Sequence, residues 1–68
     1  MKIEYDKEVD AAYIYLKYPI KDGEVKKTVS IKENVNLDFD AEDRLIGIEL
    51  LDASKMLNKK ALLEAQTV

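Results

Sequence analysis

Two stretches of this chain, residues 11–17 and 44–51, predict strands that are apolar on both faces. Successive side chains of a strand point to opposite faces, so Ala12, Ile14 and Leu16 share one face of the first stretch, and Tyr13 and Tyr15 the other. An antiparallel sheet with one face in water should alternate apolar and polar residues. Both stretches are therefore expected in a sheet whose second face is also covered, at least in part.

The rest of the chain predicts an α+β fold. Residues 2–5 and 35–39 alternate apolar and polar, and residues 25–31 are rich in β-branched side chains, so three more strands are expected. Good helix formers follow residue 51. We expect one domain over residues 1–68, an antiparallel sheet of about five strands with one C-terminal helical segment packed on one face.

The C-terminal segment begins after Asp52, whose carboxylate suits the N-cap of a helix. Leu57, Ala61 and Ala65 share one helical face, but Leu63 lies elsewhere on the helix. Either this helix is buried on more than one side, or it breaks near Asn58 and starts again.

A short helix covers only one face of a five-stranded sheet, so the second face needs another partner. A second subunit is the simplest candidate, and Tyr13, Tyr15 and Leu51 are the expected partner-binding residues. The alternative is that both tyrosines line a wetted surface and keep their hydroxyls in water.

Composition excludes several classes of function. The 68 residues include neither Cys nor His, so disulfides, thiolate nucleophiles and the commonest general base are absent. We expect no enzyme and no cofactor. The net charge of −3 argues against nucleic-acid binding by the domain alone. No apolar segment is long enough to span a membrane, and the cytoplasm is the expected location.

Alternating carboxylates suggest a second hypothesis, an acidic domain that binds divalent metal ions. They occur in two turns, at Asp6, Glu8 and Asp10, and at Asp38, Asp40 and Glu42. Neither turn completes the spacing of a helix–loop–helix calcium site, because the sixth position lacks glycine. Solvated acidic turns are the simpler interpretation.

A third hypothesis is a hydrolase that uses Glu49, Asp52 and Ser54. Ser54 has no histidine to activate it, however. Pairing of Glu49 with a basic residue and capping by Asp52 explain the same residues without catalysis.

Two motifs, YDKEVDAAYIYL from Tyr5 to Leu16 and DFDAEDRLIGIELLDAS from Asp38 to Ser54, resemble the signatures of the domain of unknown function 2283 family of short prokaryotic proteins. Asp43 stands where many members have glycine. The residues that match the signature include Tyr5, Asp6, Asp10, Gly47, Glu49, Asp52 and Ser54.

The resemblance implies a sheet-plus-helix domain and no established activity. Similar proteins are often encoded beside small toxin-like proteins, which implies an antitoxin-like role for some of them. The signature residues also have structural explanations, such as close approach of a neighbour at Gly47. We therefore expect a protein-binding module that forms a homodimer and that could cover a small basic protein.

Overall fold

Five strands form an antiparallel sheet in the computed structural model, which describes residues 1–67. They are β1 (Lys2–Asp6), β2 (Ala11–Tyr15), β3 (Lys27–Lys32), β4 (Val35–Phe39) and β5 (Leu45–Leu51). Two helices, α1 (Ala53–Met56) and α2 (Lys59–Glu64), and a two-residue strand, β6 (Gln66–Thr67), follow. Val68, the last residue of the predicted single domain 1–68, lies outside the described residues.

The predicted architecture is confirmed, with one addition. The sheet order is β3-β4-β5-β2-β1-β6. Every pair among the first five strands is antiparallel, and β6 joins β1 in parallel. No sequence signal indicated β6, because a two-residue strand is too short to show a period. None of the helices within residues 1–67 has the length and apolar character needed to cross a membrane.

Strand β2 ends two residues earlier than predicted. The backbone N–H groups of Leu16 and Lys17 both donate to the carbonyl oxygen of Ile46, at 3.0 and 3.3 Å. Two donors on one acceptor interrupt the regular ladder, so the chain leaves the sheet after Tyr15. The loop that follows is held by an ion pair of 2.6 Å between Lys17 and Glu24.

The hydrophobic core lies between the sheet and the helices. Ala12 of β2, Leu50 of β5, Val35 of β4 and Ala53 of α1 are buried there. Around them pack the partly buried side chains of Tyr5, Ile14, Leu37, Ile48, Met56 and Leu57. Burying a side chain of leucine size contributes roughly 1.5–3 kcal/mol, so these few contacts hold the helical layer on the sheet. We call this side of the sheet the helix face.

The helical segment breaks near Asn58, which is one of the two outcomes that the sequence allows. Leu57 has an extended backbone and ends α1. The side-chain oxygen of Asn58 then accepts a hydrogen bond of 2.8 Å from the N–H of Ala61 and caps a new helix. The break turns Leu57 into the core, while Leu63 on α2 is 76% exposed.

The predicted capping role of Asp52 is wrong. Asp52 occupies the N-cap position of α1 in a left-handed conformation, with φ of 53°, and its side chain caps no N–H group. Its carboxylate instead accepts a bond of 3.2 Å from the amide of Asn34. The cap comes from Asp10, whose carboxylate accepts from the N–H of Ser54 at 3.0 Å and from its hydroxyl at 2.7 Å.

Asp10, in the turn before β2, connects that turn to β1 and to the start of α1. Besides Ser54, its carboxylate accepts a bond of 2.8 Å from the hydroxyl of Tyr5 on β1, and its carbonyl oxygen accepts from Ala53 at 2.9 Å. The Ser54 hydroxyl, and after it that of Tyr5, lower the pKa of Asp10. A carboxyl with a lowered pKa stabilises the fold above its unfolded-state pKa of about 3.9, and this stabilisation is lost as pH falls through the folded-state value.

We predict that Asp10→Asn lowers the free energy of unfolding at neutral pH, because an amide cannot accept all three bonds that the carboxylate accepts. The difference from the wild type should narrow in acid, where the native carboxyl is itself protonated. Urea unfolding monitored by circular dichroism at several pH values measures both effects. Asp22→Asn, at an exposed carboxylate in the loop before β3, is the matched control. It should change neither the free energy of unfolding nor its dependence on pH. A difference independent of pH would contradict the assigned role of the Asp10 charge.

Candidate partner-binding face

The sheet face opposite the helices carries the predicted partner-binding residues. We call it the tyrosine face. The strand registers place the following residues on it: Lys2, Glu4 and Asp6 of β1; Ala11, Tyr13 and Tyr15 of β2; Gly47, Glu49 and Leu51 of β5; Asn36 and Asp38 of β4; and Thr28 and Ser30 of β3. Tyr13, Tyr15 and Leu51 therefore do share one surface, as their alternation predicts.

Tyr13 crosses a whole strand. Its ring leaves β2, passes over Gly47 on β5, and its hydroxyl donates a 2.6 Å hydrogen bond to Asp38 on β4. A Cβ atom at position 47 would lie 1.9 Å from the Tyr13 hydroxyl oxygen, closer than any real contact. The close approach predicted at Gly47 is confirmed, and the approaching group is this tyrosine.

The other carboxylate oxygen of Asp38 accepts a 2.6 Å bond from the hydroxyl of Thr28 on β3. A second chain of bonds runs from Ser30 to Asn36 at 2.5 Å and from Asn36 to Glu49 at 2.8 Å. Polar side chains thus link strands β3, β4, β5 and β2 across this face.

The tyrosines form an aromatic row. The Tyr13 and Tyr15 rings meet edge to face with centroids 4.7 Å apart, and Tyr15 and Tyr18 do the same at 5.0 Å. The Tyr15 hydroxyl donates to Glu4 at 2.8 Å, and the Lys2 ammonium lies 4.0 Å from the centroid of the Tyr18 ring. Edge-to-face contacts add about 0.5–1.5 kcal/mol to the apolar area that each pair buries.

These contacts correct the expectation of an apolar second face. Both tyrosine hydroxyls donate to carboxylates within the chain, so they do not depend on water for a hydrogen-bond acceptor. Leu51 is 39% exposed at the margin of the face. The face is a polar layer with aromatic rings embedded in it.

The tyrosine face is acidic. It carries four carboxylates, those of Glu4, Asp6, Asp38 and Glu49, and one ammonium group, that of Lys2. The Lys2 ammonium pairs with Glu4 at 3.3 Å. Glu4, Asp6, Tyr13 and Glu49 line a shallow depression with Val9, Ala11 and Ala12.

Hydrogen bonds and burial fix the protonation of this surface. Burial, followed by the neighbouring Asp38, raises the pKa of Tyr13, and the bond to Glu4 raises the pKa of Tyr15. The Tyr15 hydroxyl in turn lowers the pKa of Glu4. At neutral pH the tyrosines are neutral donors and Glu4 is a charged acceptor.

The four aspartates among the alternating carboxylates, Asp6, Asp10, Asp38 and Asp40, accept hydrogen bonds from the chain's own groups. Asp6 accepts a bond of 3.0 Å from the N–H of Glu8, and one oxygen of Asp40 accepts 2.9 Å bonds from the N–H groups of Glu42 and Arg44. Within residues 1–67, no three His, Cys, Asp or Glu side chains are grouped so that they could hold a metal ion.

The residues of the hydrolase hypothesis are not brought together. Glu49 lies on the tyrosine face and binds Asn36, whereas the Ser54 hydroxyl donates to Asp10 at the start of α1. Asp52 binds Asn34 beside the hairpin turn between β3 and β4. The three side chains do not form one site.

The sequence interpretation missed Glu4, Asn36 and Asp38 as members of the tyrosine face. Each alternates with apolar neighbours, which indicated only that it points away from the core. Their proximity to Tyr13 and Tyr15 depends on strand order and register, which no local pattern specifies.

Comparison with known proteins gives two matches. A family model described as "Protein of unknown function (DUF2283)" matches residues 2–54, which include every signature residue named above. An uncharacterised protein of Methanocaldococcus jannaschii is 36% identical over 58 residues, which are 85% of this chain and 46% of the relative. The chain thus spans just under half the length of that relative. No solved structure matches the chain significantly.

We predict that Gly47→Ala lowers the free energy of unfolding by about 1–3 kcal/mol, because the new methyl group displaces the Tyr13 ring. In a Tyr13→Ala background the same change should stabilise the protein by about 0.5–1 kcal/mol, since alanine loses less backbone entropy than glycine in a strand. Urea unfolding of the wild type, the two single variants and the double variant measures whether the effect of Gly47→Ala on the free energy of unfolding changes sign when Tyr13 is removed. Equal destabilisation in both backgrounds would show that Tyr13 is not what excludes a side chain at position 47.

Proposed function

We propose that this chain, which belongs to the DUF2283 family of proteins of unknown function, is a protein-binding module that docks a basic partner on its tyrosine face. The observation that carries the proposal is the combination of an aromatic row with four carboxylates on one face of the sheet. The helices pack on the other face.

The chemistry of this surface suits Lys and Arg side chains. Tyrosine rings offer apolar area and attract cations to their faces, as Lys2 already demonstrates over Tyr18. Carboxylates accept charge-assisted hydrogen bonds, and they accept them in pairs from a guanidinium group. An arginine-rich segment would find both partners within the depression between Glu4, Tyr13 and Glu49.

The surface is also held in place before any partner arrives. Tyr15 and Glu49 are each fixed by a hydrogen bond to a neighbouring strand, and Tyr13 by one to Asp38, two strands away. Side chains that are already ordered lose little entropy on binding, so more of the contact energy becomes affinity.

The charge of the face argues against a second copy docked directly onto it. Two such faces in contact would oppose the carboxylates of Glu4, Asp38 and Glu49 with their own copies, and like charges across an interface cost several kcal/mol. A different, basic protein is therefore the better occupant. An antitoxin-like role, in which the face covers the basic active surface of a small RNase-like protein, is the specific form of this proposal.

We predict that the wild-type protein binds an arginine-rich peptide with an affinity that falls as salt is added, because exposed charges are screened. Glu49→Gln, which keeps the shape of the side chain, should weaken binding about two- to fivefold, since an exposed ion pair contributes roughly 0.4–1 kcal/mol at a site with ordered side chains. Fluorescence anisotropy with a labelled peptide measures both.

Glu42→Gln is the matched control for this experiment. It removes the same charge from the turn between β4 and β5, away from the tyrosine face. Its affinity should equal that of the wild type. Equal weakening by the two variants would show that net charge, not this face, determines binding, and no binding by the wild type would reject the proposal.

A further inference from the structure

Within residues 1–67, Asp22 is the one aspartate whose carboxylate has neither a hydrogen-bond partner nor an ion-pair partner. The hydrogen bonds and the ion pair of its loop go to Glu24 instead. Each of the other six holds at least one such contact: Asp6, Asp10, Asp38, Asp40, Asp43 and Asp52. Because Asp22 is also exposed, no contact in the described chain holds its side chain away from its own backbone.

Gly23 follows Asp22, and no other aspartate of the sequence precedes a glycine. The two residues form the tip of a turn, which the N–H of Glu24 closes by donating to the carbonyl oxygen of Lys21 at 3.0 Å. Gly23 has a φ of 78°, which residues with a side chain rarely adopt. No atom lies within 4 Å of the position that a Cβ would occupy there. The backbone nitrogen of Gly23 is therefore not shielded by a side chain of its own residue, and the space beside it is open.

We propose that Asp22 is a site of spontaneous covalent modification, at which the peptide bond to Gly23 moves from the α-carboxyl group to the β-carboxyl group. The backbone nitrogen of Gly23 attacks Cγ of Asp22. A C–N bond forms, and the hydroxyl of the protonated carboxyl group leaves with the amide hydrogen as water. The product is a five-membered cyclic imide. Because the two groups are adjacent in the chain, the attack is intramolecular and has a high effective concentration.

Hydrolysis of the imide gives two products. Water adds to one of the two carbonyl carbons, and the bond from that carbon to the nitrogen breaks. Opening at Cγ restores aspartate. Opening at the main-chain carbonyl carbon of Asp22 leaves the chain running through Cγ, with a new carboxylate on Cα, and this product is isoaspartate. One water leaves and one returns, so the isoaspartate chain has the mass of the original chain and no oxidant or cofactor takes part.

Asp43 shows that exposure alone does not select the site. Its side chain is 75% exposed, but its carboxylate pairs with Lys27 at 2.9 Å, and imide formation would break that pair. The residue after it is Arg44, whose side chain crowds the nitrogen that would attack. Asp22 has neither obstacle.

Isoaspartate adds one carbon atom to the backbone of the turn. The Glu24 carboxylate accepts a bond of 2.9 Å from the N–H of Lys21 and pairs with Lys17 at 2.6 Å. A longer backbone separates these groups, so the loop before β3 loosens while the sheet keeps its hydrogen bonds. The reaction requires no partner, and the inference is therefore independent of the proposed function.

Ageing of the full chain in mildly acidic buffer, which supplies protonated carboxyl groups, tests the proposal. Cleavage after lysine and arginine then releases residues 22–26, and liquid chromatography with mass spectrometry separates the aspartate and isoaspartate forms of this peptide at equal mass. A methyltransferase specific for the isoaspartyl carboxylate identifies the product. Residues 33–44, which carry Asp38, Asp40 and Asp43, are the internal control. Isoaspartate should accumulate at least about tenfold faster in the first peptide, because only Asp22 combines an unpaired carboxyl group with a following glycine.

Three variants separate the requirements of the reaction. Gly23→Ala keeps the carboxyl group but places a Cβ beside the attacking nitrogen, so the rate should fall at least about fivefold. Asp22→Glu keeps the charge but would need a six-membered ring, and it should give no product. Asp22→Asn forms the same imide by releasing ammonia, so it is the positive control here and is used freshly purified in the unfolding experiment.

The result that supports the proposal is isoaspartate at Asp22 that depends on Gly23. Equal rates at Asp22 and in the control peptide would overturn it, as would equal rates in the wild type and Gly23→Ala. The absence of product from the aged wild type would overturn it as well.

Discussion

The passage of Tyr13 over Gly47 is the contact on which the second face of this sheet depends. One side chain reaches from β2 across β5 to Asp38 on β4, and Asp38 in turn binds Thr28 on β3. Three of the five antiparallel strands, β2, β4 and β3, are thereby joined by side-chain hydrogen bonds as well as by backbone bonds. The arrangement requires glycine at position 47, since any Cβ there would occupy the space of the tyrosine hydroxyl. A glycine inside a strand costs backbone entropy, and the contacts of the Tyr13 ring offset that cost.

A short chain has material for one helical layer, and the two faces of the sheet are stabilised in different ways. On the helix face, apolar side chains pack around Ala12, Leu50 and Ala53. On the tyrosine face, hydrogen-bonded polar groups and aromatic rings replace a second layer. Asp10 connects the helical layer to the sheet by accepting bonds from both Tyr5 and Ser54. Tyr5, Asp10, Gly47 and Ser54, which belong to the signature, therefore have direct structural roles.

The two ways of stabilising a face also give the two faces different chemistry, apolar contacts on the helix face and hydrogen-bonded polar groups on the tyrosine face. The tyrosine face carries four carboxylates and one ammonium group, and this excess of negative charge is the basis of the proposal that it docks a basic partner.

The sequence by itself determined the secondary-structure elements. Its period-two pattern predicted β4 with the observed bounds, and its two dense apolar stretches form the adjacent strands β2 and β5. Asn58 marked the point at which the helical segment breaks. These are local properties, decided by the order of side chains along a few residues. Tertiary structure alone decided that Asp10 caps α1 in place of Asp52, that Tyr13 meets Asp38, and that the second face is polar and acidic. The residues in these contacts lie 44 and 25 positions apart, and their meeting depends on strand order and register, which are properties of the folded chain as a whole.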